Sequence, residues 1–140
     1  IEMLSNYMGK NLCEIATLGS KFKDNKEIEN INNVKVETKE ALTNNKFDEA
    51  IDFFRKNESA KKRHIYHHIG IYAFTKEALL RYVSLSRTNK ELDRNLEQLR
   101  ALENNMKIHV GYTPSSPLSI DTEEDLKNIQ ELMKIWKEIK

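Results

Sequence analysis

The sequence has very few of the residues that cross-link, bend or break a chain. It contains one cysteine, four glycines and two prolines in 140 residues. A single thiol forms no internal disulfide, which is typical of a protein from a reducing compartment. So little glycine and proline excludes collagen-like, low-complexity and flexible-linker chains. These absences indicate one folded domain, or a piece of one, with an expected cytoplasmic location.

The chain also lacks a strong charge of either sign and a long apolar run. Lys and Arg number 23 against 22 Asp and Glu, which gives a net charge of +1 with His neutral. This balance argues against a nucleic-acid-binding protein that works by bulk charge. No segment approaches the roughly 18 apolar residues of a membrane span, and the N-terminus shows no secretory signal pattern. We therefore expect neither nucleic acid nor a membrane as a partner.

What the sequence does contain is an alternation of strand and helix patterns. Short β-branched or alternating stretches predict strands at 12–18, 33–37, 68–74 and 107–112. Amphipathic spacing predicts helices at the N-terminus, after Thr75, over 89–102 and from Thr122 onward. Residues 47–54 fit a helix and a strand equally well. Strands interleaved with helices indicate an α/β domain.

Three details of this pattern are specific enough to test. Gly70 lies inside the strongest predicted strand, and it indicates a place where another group approaches closely. The leucines at 92, 96, 99 and 102 predict one continuous helix with a single apolar side. In the helix after Thr75, we expect Leu79, Tyr82 and Val83 to form the apolar face.

Asp121 is the first candidate for chemistry. It precedes the predicted cap of the last helix and follows a strand and a proline-containing loop. In α/β folds, ligands bind where a strand's end opens onto a helix N-terminus. A carboxylate there suits a hard cation such as Mg²⁺. The same carboxylate also stabilises a helix N-terminus, which is the commoner role, so both interpretations stay open.

Other chemistry-bearing residues have plain structural interpretations on pattern alone. His64, His67 and His68 have zinc-like spacing, but neighbours in a strand point to opposite faces. Glu97 and Gln98 lie beside the leucine stripe and predict a solvated helix face. The remaining candidates are tyrosines interpreted as core or rim aromatics, namely Tyr72 and Tyr82.

Four motifs occur in one order and together point to a family. They read H-I-G-I-Y at 68–72, L-E-Q-L-R at 96–100, K-I-H-V at 107–110 and I-D-T-E-E-D-L at 120–126. In that order they resemble the C-terminal half of the 3-deoxy-manno-octulosonate cytidylyltransferase (CMP-Kdo synthetase) family. Weaker resemblance comes from A-T-L at 16–18 and N-V-K-V at 33–36.

The resemblance implies a fold and an activity. The fold is the C-terminal part of a nucleotide-diphospho-sugar-transferase-like (Rossmann-like) α/β fold, a mixed sheet flanked by helices, with 1–140 as one partial domain. The family transfers CMP from CTP to Kdo and releases pyrophosphate, for lipopolysaccharide synthesis. It is dimeric and needs Mg²⁺. A homodimer is therefore expected, with CTP and Kdo as substrates of the complete enzyme.

The resemblance also assigns roles residue by residue. Asp121 matches the family's metal-binding aspartate. The residues that match those contacting the sugar acid are His68, Tyr72, Glu97 and Gln98. Hydroxyl-rich sugars suit such donors and acceptors. Two anionic reactants also need a metal to neutralise phosphate charge.

Among the departures from the family pattern, two bear on binding and activity. The family's N-terminal motifs P-A-R, R-L-P-x-K and Q-G-D-E-P are absent. The stretch A-L-Y-F-S-R-x-x-I-P reads A-I-D-F-F-R-K-N-E-S at 50–59, where only Arg55 keeps its place among the polar positions and is expected to contact an acidic ligand. The matched register implies that 50–55 is a strand.

These departures shape what we expect of the isolated chain. Without the nucleotide cradle and a second metal-binding carboxylate, it is expected not to make CMP-Kdo alone. A missing half is expected to leave a strand edge and an apolar face, so the chain should self-associate or bind a separate N-terminal half. The alternatives are a degenerate, non-catalytic sugar-binding or dimerisation module, and a fragment of a sialic acid-type cytidylyltransferase.

Overall fold

A computed structural model describes residues 1–10, 13–44, 46–56, 64–114, 120 and 123–138. The helices are α1 (Glu2–Lys10), α2 (Asn25–Glu29), α3 (Lys76–Ser84), α4 (Asn89–Arg94), α5 (Gln98–Glu103) and α6 (Glu123–Glu138). The strands are β1 (Ile15–Ser20), β2 (Lys35–Thr38), β3 (Phe47–Phe54), β4 (Ile65–Phe74) and β5 (Ile108–Tyr112). No helix in this part of the chain is both long enough and apolar enough to cross a membrane.

The strands form one sheet that closes on itself in the order β1-β4-β2-β3-β5. β1 and β5 run parallel, whereas the other neighbouring pairs are antiparallel. The predicted mixed sheet is therefore confirmed. The expected free strand edge is wrong for the described strands, because β5 pairs with both β1 and β3 and closes the sheet.

The ambiguous segment at 47–54 forms the strand β3, as the family register implied. Phe53 and Phe54 are buried in it, at 0% and 3% exposure. Asp52 replaces the family's tyrosine, and its carboxylate accepts a hydrogen bond from the Arg94 guanidinium at 2.6 Å. The aspartate that departs from the family pattern is therefore paired with an arginine of α4.

A bulge interrupts the pairing of β1 with β4. Thr17 lies opposite Tyr72, but Leu18 lies opposite Ile69, so two residues of β4 are looped out between them. Gly70 is one of the two, and a Cβ added to it would meet nothing within 4 Å. The predicted close approach at Gly70 is wrong. It occurs instead at Gly111, where a Cβ would lie 2.5–2.9 Å from the Phe47 ring.

The single helix predicted over 89–102 is also wrong, because the chain breaks it. α4 ends at Arg94, and its C-cap Asn95 has φ 52° and ψ 50°, the left-handed conformation that asparagine tolerates. The next helix, α5, begins only at Gln98. As a result Leu96 and Leu99 are buried whereas Leu92 is 53% exposed.

The predicted apolar face of α3 is only partly buried. Ala78 is buried and Tyr82 packs against the core. Leu79 and Val83, which were expected on the same buried face, are 45% and 63% exposed. The five-stranded sheet is a closed barrel, and fewer side chains of α3 are therefore buried against it than the pattern indicated.

Candidate functional site

A cavity of about 170 Å³ lies between the barrel and the helices that follow β4. β1, β4 and β5 form one wall, and α3 and α5 form the other. The residues that line it are Ile15, Tyr72, Phe74, Tyr82, Glu97, Gln98, Ala101 and Ile108. Three of the residues matched to the family's sugar contacts, Tyr72, Glu97 and Gln98, therefore meet in one cavity.

Tyr72 contributes a buried hydroxyl to this cavity. Its oxygen is shielded from solvent and has no hydrogen-bond partner among the described residues. Buried polar groups are almost always paired, so an unpaired one needs an explanation. Burial, followed by the nearby Glu97 carboxylate and the Tyr82 phenol, raises the pKa of Tyr72 well above its usual value. The group is therefore a neutral O–H that can donate to a ligand.

Glu97 and Gln98 bring polar groups from the start of α5. Gln98 is buried at 6% exposure, and no hydrogen bond of its amide to another described residue is found. Glu97 is exposed at the cavity's rim. The solvated face predicted from the pattern is thus right for Glu97 and wrong for Gln98, because the chain turns at Asn95 between α4 and α5.

His68 lies beside this cavity without lining it. Its ring centroid is 5.4 Å from that of Tyr72, and it packs edge-on against Phe53 at 5.1 Å. Its Nε2 is 3.0 Å from the Thr17 hydroxyl oxygen. Burial, with a smaller effect from His67, lowers the pKa of His68 to about 3. The imidazole is therefore neutral at physiological pH.

A chain of contacts among three helices holds the cavity's rim in place. The Tyr82 hydroxyl donates to the backbone carbonyl of Glu97 at 3.1 Å. The Arg100 guanidinium lies over the Tyr82 ring, 5.0 Å from its centroid. Arg100 also donates to both carboxylate oxygens of Glu91, with Nε at 2.8 Å from Oε2. α3, α4 and α5 are thereby tied together behind Glu97.

Sequence reasoning did not identify Glu91, Arg100 or Thr17 as parts of this arrangement. Glu91 is 2% exposed, and the Arg100 hydrogen bonds hold the pKa of its carboxyl well below the usual range. Its spacing from Thr88 fits the S/T-x-x-E helix-start signature, which was a usable signal. Thr17 lies in the A-T-L motif at 16–18, but the motif did not indicate its partners in β4, which are distant in sequence.

Arg55 lies away from the Tyr72 cavity. Its guanidinium donates to the carbonyls of Ile31 and Asn32 at 3.3 and 3.1 Å. It borders a separate cavity of about 290 Å³. The residues that line this second cavity are Phe54, Arg55, Lys56, Asp93 and Arg94. Contact between Arg55 and an acidic ligand stays a prediction, at a place distinct from the Tyr72 cavity.

The two places considered for a metal ion are the histidines at 64–68, where the sequence argued against zinc, and Asp121. His67 stacks on Phe22 whereas His68 packs on Phe53, as strand alternation required. Among the described residues, no group of three or more His, Cys, Asp or Glu side chains is arranged to hold a metal ion. Asp121 and the predicted helix cap Thr122 lie outside the described residues, so the magnesium site stays a prediction.

Sequence comparison relates the chain to known proteins. Residues 1–108 match the family profile described as cytidylyltransferase. The chain is 40% identical over 123 residues to the 3-deoxy-manno-octulosonate cytidylyltransferase of Bartonella henselae, covering 88% of this chain and 50% of the relative. The 3-deoxy-manno-octulosonate cytidylyltransferase of Bartonella bacilliformis is 37% identical over 133 residues, and the match covers 95% of this chain and 52% of the relative. The chain therefore spans about half the length of these relatives.

Comparison with solved structures points to the same group of enzymes as the sequence comparison. A solved structure of CMP:2-keto-3-deoxy-manno-octonic acid synthetase complexed with CTP is similar, with a TM-score of 0.75 and 25% sequence identity. The match covers 95% of this chain and 54% of the solved one. The expected Rossmann-like α/β fold, with a mixed sheet flanked by helices, is confirmed.

Proposed function

Because the chain belongs to the cytidylyltransferase family, we propose that it forms the sugar-acid-binding part of an enzyme that transfers CMP from CTP to Kdo. In this transfer a sugar hydroxyl oxygen bonds to the α-phosphorus of CTP while the bond to pyrophosphate breaks. The observation that carries the proposal is the buried, unpartnered hydroxyl of Tyr72. Tyr72 lines the cavity that the two other sugar-matched residues, Glu97 and Gln98, also line.

Three polar side chains in a largely apolar lining can pair with the hydroxyls of a ligand. Tyr72 offers a donor, Gln98 offers both a donor and an acceptor, and the Glu97 carboxylate accepts. The described lining includes no lysine or arginine. Sugar hydroxyls are therefore better ligands for this cavity than a triphosphate, so CTP binds elsewhere in the enzyme that we propose.

His68 and Tyr72 serve in binding rather than in proton transfer. The pKa of His68 is about 3 and that of Tyr72 is raised, so both side chains stay neutral near pH 7. An efficient general acid or base has a pKa near the working pH. Their role in this proposal is to orient the sugar's hydroxyls while its reacting oxygen meets the nucleotide.

Direct binding of Kdo tests the proposal. Isothermal titration of the 140-residue chain with Kdo should give saturable binding, and Tyr72→Phe should weaken it about tenfold, because one hydrogen bond to a ligand is lost. Tyr112→Phe is the matched control, since Tyr112 lines a different cavity. Wild-type chain that binds no Kdo, or equal affinity for Tyr72→Phe and wild type, would contradict the proposal.

Pyrophosphate release separates this function from its alternatives. With CTP, Kdo and Mg²⁺, we expect no turnover by the 140-residue chain, and turnover when the N-terminal half of a relative is added. The intact strand β3, with Phe53 buried, gives no support to a degenerate module. Tighter binding of N-acetylneuraminate than of Kdo would favour the sialic acid-type alternative. We extend the proposal to a cytoplasmic homodimer that serves lipopolysaccharide synthesis, as the resemblance implies.

We also propose that Asp121 holds Mg²⁺, following the family match. The described residues do not themselves build a metal site. When bound, the cation would neutralise phosphate charge. Asp121→Asn keeps helix capping and removes the charge, so Mg²⁺ affinity should fall while the unfolding free energy barely changes. Unchanged Mg²⁺ affinity, with a stability loss of about 0.3–1 kcal/mol, would mark a helix-terminus role instead.

A further inference from the structure

Thr17 makes three contacts at the bulge between β1 and β4. Its Oγ1 is 2.7 Å from the carbonyl oxygen of Ile71 and 3.2 Å from that of Ile69. The same oxygen is 3.0 Å from Nε2 of His68. The side chain is fully buried, so these contacts are not exchanged with solvent.

The proton count at Thr17 decides which partner donates. A threonine hydroxyl has one proton to donate and lone pairs to accept with. Both carbonyl oxygens can only accept, so the hydroxyl proton points to them. The contact with His68 is then satisfied only if the imidazole donates its Nε2–H to Oγ1.

A neutral imidazole carries one N–H, so Nδ1 then bears a lone pair. No hydrogen bond from a described residue to Nδ1 of His68 is found. The neighbouring ring of Tyr72, at 5.4 Å between centroids, carries a donor that also has no partner in the described chain. The Nδ1 lone pair and the Tyr72 hydroxyl therefore belong to neighbouring rings, of which the Tyr72 ring lines the cavity.

We propose that Thr17 is a positioning residue that fixes His68 as the Nε2–H tautomer, so that Nδ1 accepts a hydrogen bond from a sugar hydroxyl. This inference rests on the proposed function for its ligand. Paired with the Tyr72 donor, the Nδ1 acceptor matches a hydroxyl, which both donates and accepts. A carboxylate only accepts, so it would leave Nδ1 unpaired.

The tautomer is directly measurable by ¹⁵N NMR of the histidine rings in the ligand-free 140-residue chain. His68→Asn identifies the His68 signals among the four histidines. Wild type and Thr17→Ser, which keeps the hydroxyl, should show the Nε2–H form. Thr17→Val, which keeps the shape, should lose it and bind Kdo about tenfold more weakly, because the acceptor is no longer held in place.

The outcomes separate this inference from the proposed function. A wild-type His68 in the Nδ1–H form, or an unchanged tautomer and Kdo affinity in Thr17→Val, overturns the role of Thr17. If Thr17→Val does not fold, wild type and Thr17→Ser decide alone, since both must show Nε2–H and similar Kdo affinity. Failure of wild type to bind Kdo overturns the sugar ligand and the proposed function, whereas the spectra still decide whether Thr17 sets the tautomer.

Discussion

A buried hydroxyl without a partner lowers stability unless a ligand satisfies it, and Tyr72 is such a group. Tyr72→Phe should therefore raise the unfolding free energy of the ligand-free chain by about 1 kcal/mol. Tyr66→Phe is the control, because the Tyr66 hydroxyl accepts from the Leu42 N–H at 2.8 Å. That variant should lose about 1 kcal/mol. Urea denaturation of both variants measures the difference, and equal losses would refute a ligand role for the Tyr72 hydroxyl.

His68 makes stability depend on pH. Its pKa falls from 6.5 to about 3 on folding, chiefly because burial disfavours the charged ring. Between these values the unfolded chain binds more protons, so the unfolding free energy falls as the pH drops below about 6.5. By about pH 5 the loss relative to about pH 7.5 should reach roughly 2 kcal/mol.

Urea denaturation at the two pH values tests this dependence. His68→Asn should lose stability less steeply on acidification. The pKa of His109 is also lowered, so His109 also makes stability fall on acidification. Because His109 is present in both proteins, the difference between them reports on His68. Parallel pH profiles for the two proteins would show that His68 is not buried in the neutral form.

At the scale of elements, the break between α4 and α5 positions the candidate site. Asn95 turns the chain so that Gln98 reaches the cavity, and the hydrogen bonds between Glu91 and Arg100 hold the two short helices together. Helices of six residues are too short to be stable alone, so these tertiary contacts maintain them.

Glu91→Gln should test this arrangement. Removing one partner from a buried ion pair leaves Arg100, at 17% side-chain exposure, without its counter-charge. The unfolding free energy should fall by about 3 kcal/mol, and Kdo binding should weaken because the carbonyl of Glu97 loses its support. Asp93→Asn, at an exposed position on α4, should change stability by less than about 0.5 kcal/mol. Similar losses in both variants, measured by urea denaturation, would contradict the role of Glu91.

At the scale of the whole molecule, we expect the closed sheet to contribute much more to stability than α6. The described side chains of α6 are exposed except for the partly buried Ile129. Truncation after Thr122 should therefore lower the unfolding free energy of the barrel by less than about 1 kcal/mol. The measurement is urea denaturation followed by tyrosine fluorescence, because truncation removes the single tryptophan, Trp136. A much larger loss would mean that α6 stabilises the barrel.

The same helix should promote association. Met133, Ile135 and Trp136 are 58%, 51% and 74% exposed on α6. Clustered apolar surface of this kind drives association. Sedimentation should therefore show that the 140-residue chain self-associates with rising concentration, and that the chain truncated after Thr122 does so less. A monomer at all concentrations for the longer chain would contradict this expectation.

Much of the fold was predictable from sequence because its signals are local. The strands near 68–74 and 107–112 and the helix α6 follow from periodicity within each segment. The ordered motifs also indicated the family and three residues of the cavity. Predictions for Arg55, Asp121 and Mg²⁺ came from the same resemblance and stay predictions.

By itself the sequence determined which segments form strands and helices and which motifs point to sugar-nucleotide chemistry, since neighbouring residues carry those signals. Only the tertiary structure decided the closure of the sheet, the bulge at Gly70 and the burial of Glu91. It also decided that Thr17 meets His68, a pair separated by 51 positions. The physical reason is that hydrogen bonding and burial depend on which distant elements pack together, and the periodicity of one segment does not encode its partner.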